Sequence, residues 1–322
     1  MSALLAAAGC QQPPAAPAPL APEPVAAAAP LVREGYAFVL AGESFDAGTR
    51  VVTFREPGGF DAYAIPVAAA PTATPYENHG ARRFPDPAGG EPAELAVPAT
   101  LEQLRGLVDQ VVLHYDSEGL SRRTFPILQK RERSAHFLVD VDGTVYQTLD
   151  MRERAYHATI ANSRSIGIEI ANLGAYPPGE TQEAAAWYQP APDGTVVMQA
   201  PPDARPRGVL TPDFVARPDR PEPVSGAIHG APLVQYDFTP EQYAALAHLL
   251  AALHRALPAI ALDAPREADG QVAARQLTAD EFARFRGLIG HFHIQANKVD
   301  PGPALQWERL IAAARARASA QD

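Results

Sequence analysis

Four stretches of the chain hold the residues best suited to chemistry. They are Val111-Val112-Leu113-His114-Tyr115, Ser134-Ala135-His136-Phe137 and Ser165-Ile166-Gly167-Ile168-Glu169-Ile170, and a last run from Gly290-His291 through His293 and Lys298 to Asp300-Pro301-Gly302-Pro303. A catalytic zinc takes three protein ligands from His and carboxylate and keeps one position open. His114, closing a short apolar run, and a His/Asp pair on the last stretch could supply that set. Glu169 poses a different problem. It lies mid-strand between two isoleucines, on a face otherwise made of Gly167 and Ala171. A carboxylate buried there must meet a cation or a cavity, because burial without a partner is unfavourable. Such surroundings raise its pKa and suit a general base. The alternative is an edge-strand glutamate facing solvent. His248 and His254 fall within a helical pattern, have no partner at ligand spacing, and read as ordinary helix residues.

The elements that must carry these groups follow from periodicity and capping. Val111 to Leu113 reads as a buried strand ending at His114. Ala135 to Gln147 reads as a hairpin turned at Asp142-Gly143. Ser165 to Asn172 alternates, with Ile166, Ile168 and Ile170 on one face. Thr100 with Gln103, Thr239 with Gln242 and Thr278 with Glu281 form capping boxes that open helices. The second of these helices carries an apolar stripe from Tyr243 to Leu257 and stops before Pro258. From Pro303 through Trp307 to about Ala318 the chain reads as a terminal helix. Residues 35–66 alternate like strands, 67–99 read as a wrapping loop, and the proline-rich span 174–235 reads as a long, loop-rich insertion. The predicted class is α/β, with helices packed on a sheet over residues 100–318.

Composition narrows the function. Twenty-seven basic residues against 37 acidic give a net charge of −10, which argues against a general nucleic-acid binder. Against that background, residues 121–164 carry eight basic and five acidic side chains, a local excess suited to a rim that meets carboxylates. No apolar stretch is long enough to span a membrane. The single cysteine, Cys10, excludes an intrachain disulfide framework and a cysteine metal cage. It closes an apolar run as Ala8-Gly9-Cys10, which resembles the end of a bacterial lipoprotein signal, where the thiol is lipidated. The Pro/Ala tract that follows, to about Pro30, reads as an extended tether. Residues 1–30 are thus expected to be anchor and tether, 31–99 an N-terminal extension, and 100–318 the catalytic domain with 174–235 inserted.

In their order and context, the four stretches resemble the zinc-dependent N-acetylmuramoyl-L-alanine amidases of the amidase_2 class, relatives of the peptidoglycan recognition proteins. The resemblance covers roughly residues 108–175 and 236–310. It implies a central mixed β-sheet flanked by helices, with zinc held by His114, His291 and Asp300. His293 is the alternative second ligand, since the His291–Asp300 separation is one residue shorter than in the most similar bacterial branch. His291 keeps the Gly-His context of the family motif. The resemblance further implies that Glu169 moves the proton and that Lys298 steadies the oxyanion. The segments around His136 and His157 would wall the cleft, together with Tyr115 and Asn172 at the strand ends. The implied reaction is hydrolysis of the amide between the lactyl group of muramic acid and L-alanine, in peptidoglycan or muropeptides. With Cys10 lipidated, the expected location is the bacterial envelope, at the periplasmic face of the outer membrane. The alternative is a recognition module that binds peptidoglycan without cutting it. A zinc peptidase would be expected to carry His-Glu-x-x-His, and no such motif occurs.

Overall fold

Three parallel strands lie side by side at the heart of the computed structural model, and all three run toward the candidate site. The structure describes residues 33–65, 76–180, 182–202, 204, 206 and 208–320. Cys10 and the tract after it lie outside these. The central sheet has six strands: β1 (Val51–Thr53), β2 (Gln110–Tyr115), β3 (Phe137–Val139), β4 (Val145–Gln147), β5 (Ser165–Ile170) and β6 (Gly287–Gly290). Their spatial order is β6-β2-β5-β3-β4-β1. Only the β3–β4 hairpin pairs antiparallel, so the sheet is mixed.

One face of the sheet is covered by helices. Ile166, Ile168 and Ile170 of β5, with Val111 and Leu113 of β2, pack into one apolar core with α1 (Leu101–Leu107), α3 (Pro240–Ala256) and α5 (Trp307–Ser319). Two further helices are α2 (Ser121–Lys130) and α4 (Ala279–Arg284), and Gln182–Trp187 forms a short helix within 174–235. Thr100, Thr239 and Thr278 each accept the backbone N–H three residues on, and Gln103, Gln242 and Glu281 reach back to the cap N–H. These reciprocal bonds fix where each helix begins. Because side chains alternate along a strand, His114 and Glu169 must point to the other face, away from the helix core.

Two spans expected to be loop-rich also carry short strands. The described part of 67–99 is not a plain loop. His79–Ala81 pairs antiparallel with Glu153–Ala155, and Arg83–Phe84 pairs with Ala93–Glu94. Arg82 between them is fully buried, its guanidinium donating to the carbonyls of Met151, Ser163 and Ser165 at 2.9–3.1 Å. The span 174–235 also carries structure. Tyr188–Pro190 pairs with Val196–Met198, and Val224–Ile228 with Ala231–Gln235. Trp187 and Tyr188 form a small core with Leu120, Val141 and Leu173. Its strands are short and its prolines fall at strand ends or edges, where no ladder N–H is needed, and this hid the pairing from periodicity. Within the N-terminal extension 31–99, β1 forms one edge of the central sheet.

Candidate metal centre and cleft

Register brings the site together. Across the ladder Glu169 is the partner of His114, and Gly290 is the partner of Leu113. His291, the next residue after Gly290, therefore emerges beside His114. Three adjacent strand ends deliver His291, His114 and Glu169 in a row, at the carboxyl edge where open α/β sheets place their ligands. β5 is flanked by β2 and β3, so the edge-strand reading of Glu169 does not hold. Asp300 arrives on the loop after β6. One ligand atom from each of His114, His291 and Asp300 lies within 4.8 Å of the others, all three residues being buried.

The hydrogen-bond network says which ring atoms face the centre. His114 Nε2 lies 3.1 Å from His157 Nδ1, His157 Nε2 lies 3.3 Å from Ser165 Oγ, and the Ser165 hydroxyl donates to the Ala161 carbonyl at 2.8 Å. The carbonyl can only accept, so the direction of every link is set. Ser165 accepts from His157 Nε2–H, and His157 Nδ1 accepts from His114 Nε2–H. His114 Nδ1 is then left with a lone pair, aimed at Asp300 Oδ2 at 2.7 Å. His291 repeats the pattern. Its Nε2–H donates to Gln295 Oε1 at 2.7 Å, and its Nδ1 lies 3.0 Å from the same Asp300 oxygen. Two lone-pair nitrogens converging on a carboxylate oxygen call for a cation among them.

The electrostatics agree. Burial lowers the pKa of His114, as do His291 and Lys298, despite the opposing charge of Asp300. Burial alone would raise Asp300, but the neighbouring His114 and His291 outweigh it and hold the carboxyl below the usual carboxylate range. Two imidazole nitrogens with lone pairs directed inward and one carboxylate make a donor set that fits a divalent metal of the zinc type. His157 and Gln295 orient the two rings from behind. Gly167 makes room for the first of these, since a Cβ there would lie 2.7 Å from the His157 ring.

The centre opens into a cleft of about 730 Å³ bordered by Tyr115, Glu169, Asn297 and Lys298, with Arg131 and Arg133 along its wall. A second lobe of about 420 Å³ shares His157, His291 and Lys298 and extends to Thr159, Asn162 and Gln295. Glu169 makes no side-chain hydrogen bond among the described residues. Enclosure by protein, then the charges of Asp300 and Asp116, push its pKa well up against the opposing charge of Lys298.

The structure separates the other candidates. Tyr115 and His157 line the cleft. His136 does not: it is fully buried, its Nδ1 accepts the Gly167 N–H at 3.0 Å, and its Nε2–H donates to the Glu153 carbonyl at 3.1 Å. Asn172 is also withdrawn, its side chain bonded to the Tyr236 carbonyl, the Gly174 N–H and Gln235. His293 is no rival to His291. Its Nδ1 accepts the Gly290 N–H at 2.8 Å, and its Nε2–H donates to the Ala273 carbonyl at 2.7 Å. Sequence reasoning missed Gln295 and Ser165. Gln295 follows His291 by four residues, a spacing that could have suggested it.

Residues 104–191 match the family model Amidase_2, described as N-acetylmuramoyl-L-alanine amidase. The match takes in His114 and Glu169 and stops before His291, Lys298 and Asp300. Among solved structures the chain is similar to a selenomethionine AmpD derivative (19% identity, TM-score 0.33, covering 73% of this chain and 94% of that one). It is also similar to E. coli AmiD bound to anhydro-N-acetylmuramic acid-L-Ala-D-gamma-Glu-L-Lys (18%, 0.35, 70% and 63%). A third is the endolysin amidase LysCS from Clostridium intestinale URNW (14%, 0.34, 65% and 84%). No curated protein matches the sequence. Over residues 104–191, the chain is thus similar to the amidase_2 family.

Proposed function

We propose that the protein is a zinc-dependent amidase that cleaves the bond between the lactyl group of N-acetylmuramic acid and L-alanine in peptidoglycan or its fragments. The observation that carries this reading is the convergence of His114 Nδ1 and His291 Nδ1 on Asp300 Oδ2, with Glu169 and Lys298 bordering the same cleft. His114, His291 and Asp300 would hold the metal, which supplies Lewis acidity for water and for an amide carbonyl. Glu169, with its raised pKa, takes the proton of the attacking water and returns it to the leaving amine. The Lys298 ammonium balances negative charge growing on the carbonyl oxygen. Arg131 and Arg133 favour a substrate whose peptide carries carboxylates. Cleavage is tested by incubating the zinc-loaded protein with purified muropeptides and following products by mass spectrometry. Release of intact stem peptide from sugar, abolished by a chelator, is the expected result. Binding without release would leave a recognition module, and cuts within the stem would make it a peptidase.

The same reading includes an envelope location. Ala8-Gly9-Cys10 and the Pro/Ala tract support a lipid anchor with a tether reaching roughly 60 Å at about 3.1 Å per residue. Fatty-acid labelling in the native host should mark the protein, and Cys10→Ser should release it from the membrane fraction. An unlabelled protein ends the anchor reading without touching the chemistry.

A further inference from the structure

The hairpin Val224–Ile228/Ala231–Gln235 contributes nothing to the chemistry above, yet it lies against the loop that carries Lys298 and Asp300. Ile228 and Leu233 pack with Phe292 and Val299. At the hairpin tip, His229 and Gly230 both have positive φ, and the His229 N–H donates to the Ala274 carbonyl at 2.8 Å. The ring accepts the Gln276 N–H at Nδ1, 3.3 Å away, so its Nε2–H donates to the Lys298 carbonyl at 2.9 Å. At the other end Gln235 is buried and fully used. Its Nε2 donates to the Pro301 carbonyl and to Asn172 Oδ1, both at 3.1 Å, and its Oε1 accepts the Ala304 N–H at 2.9 Å. A Cβ at position 302 would fall 2.1 Å from Gln235 Oε1, so only glycine lets the loop lie this close.

We propose that this hairpin is the positioning element of the active site, with His229 and Gln235 as positioning residues for Lys298 and Asp300. The proposal rests on the reading of Asp300 as a metal ligand and of Lys298 as an oxyanion group. The loop has no strand or helix to hold it between the short turn ending at His293 and α5. Its backbone is instead fixed on either side of Asp300, at the carbonyl two residues before and the carbonyl one residue after. Gln235 also joins that loop to Asn172, just past the strand that carries Glu169. Asn172, withdrawn from the cleft, thereby gains a role: it couples the proton-transfer strand to the ligand loop. Misplacement by about an ångström in such a frame is enough to cost about 10²-fold in rate.

Two variants separate the parts. Gln235→Leu keeps the volume and removes three hydrogen bonds. His229→Asn keeps a residue suited to a left-handed turn but is too short to reach the Lys298 carbonyl. Zinc affinity is measured for the full chain by competition with a chromogenic chelator, which requires no substrate. Gln235→Leu should weaken zinc binding about 10- to 100-fold, the range for residues that orient ligands. If that variant does not fold, Gln235→Glu serves, having lost both donors while keeping its shape. His229→Asn should lower kcat by up to about 10²-fold with KM unchanged, and His229→Gln, with a donor at similar reach, should recover most of it. Wild-type zinc affinity in a folded Gln235 variant, or wild-type kcat in His229→Asn, overturns the proposal. A wild type that binds zinc tightly and cleaves no muropeptide defeats the amidase reading instead, and the affinity comparison still decides the role of Gln235.

Discussion

Replacing Asp140 with asparagine should stabilise the protein at alkaline pH and lose that advantage in acid. Asp140 follows β3 and is buried. Its Oδ1 accepts the N–H groups of Ser121 and Val141 at 3.3 and 3.0 Å. It thereby caps α2, whose own N-cap residue, Leu120, makes no side-chain cap bond. Its Oδ2 is buried without a partner. Burial is the main reason its pKa rises from 3.8 to about 7. Asp142 and Asp116 add to this, and the two N–H groups oppose it. The folded protein therefore binds this proton more tightly than the unfolded chain does. Below pH 3.8 both states hold the proton and the stabilisation relative to ionised Asp140 is fully present; it is lost as pH rises toward 7, and the full penalty persists above. At about 1.4 kcal/mol per tenfold change, that penalty is roughly 4 kcal/mol at pH 8. Asparagine keeps an oxygen for both N–H groups and cannot ionise. Urea unfolding of the chelator-treated protein should show Asp140→Asn ahead by about 2–4 kcal/mol at pH 8, with the gap closing toward pH 4. Asp116, raised to about 6, titrates in both proteins, so only its weak charge coupling to Asp140 enters the difference. A gap that is the same at both pH values, or a variant weaker at pH 8, would refute the reasoning.

Other outcomes follow from the site. Glu169→Gln should bind zinc as the wild type does and lose about 10²- to 10⁴-fold in kcat; near-normal turnover would assign the proton transfer elsewhere. On the proposed role Glu169 must be ionised to act, and with its raised pKa wild-type kcat/KM should fall as pH drops through a value well above the ordinary 4.5. An acid limb at or below 4.5 would contradict this. His157→Phe fills the same space but cannot accept from His114, and should weaken zinc binding about 10- to 100-fold in a chelator titration. Arg82→Met removes the donors of at least three buried carbonyls and should destabilise the fold by about 3 kcal/mol or more, measured by denaturation.

What could be read from the sequence was what short-range chemistry writes into it. The capping boxes at Thr100, Thr239 and Thr278, the Asp142-Gly143 turn and the alternation around Glu169 are local signals, and the structure has each of them in place. Grouping His114 with His291 and Asp300 needed motif context, because nothing local joins residues this far apart. What stayed hidden was the far side of each polar group. Nothing near His136 in the chain shows that the backbone of Glu153 and Gly167 takes up both nitrogens of its ring. Asn172 looked like a cleft residue because its strand leads there, yet its partners come from residues around 235. The strands within 174–235 are too short for an alternating pattern to emerge.

The separation between His114 and Asp300 has a topological consequence. Their side chains meet at 2.7 Å although 186 positions divide them along the chain. A divalent ion seated between them would act as a cross-link, closing a loop that spans more than half of the polypeptide. Closing a loop of that length withdraws much of the freedom of the unfolded chain, as a long-range disulfide does. With one cysteine, this chain has no such bond of its own to make. Its fastening would instead be a reversible one, made and undone by the supply of metal, so that starvation for the ion would loosen the molecule and silence it in the same event.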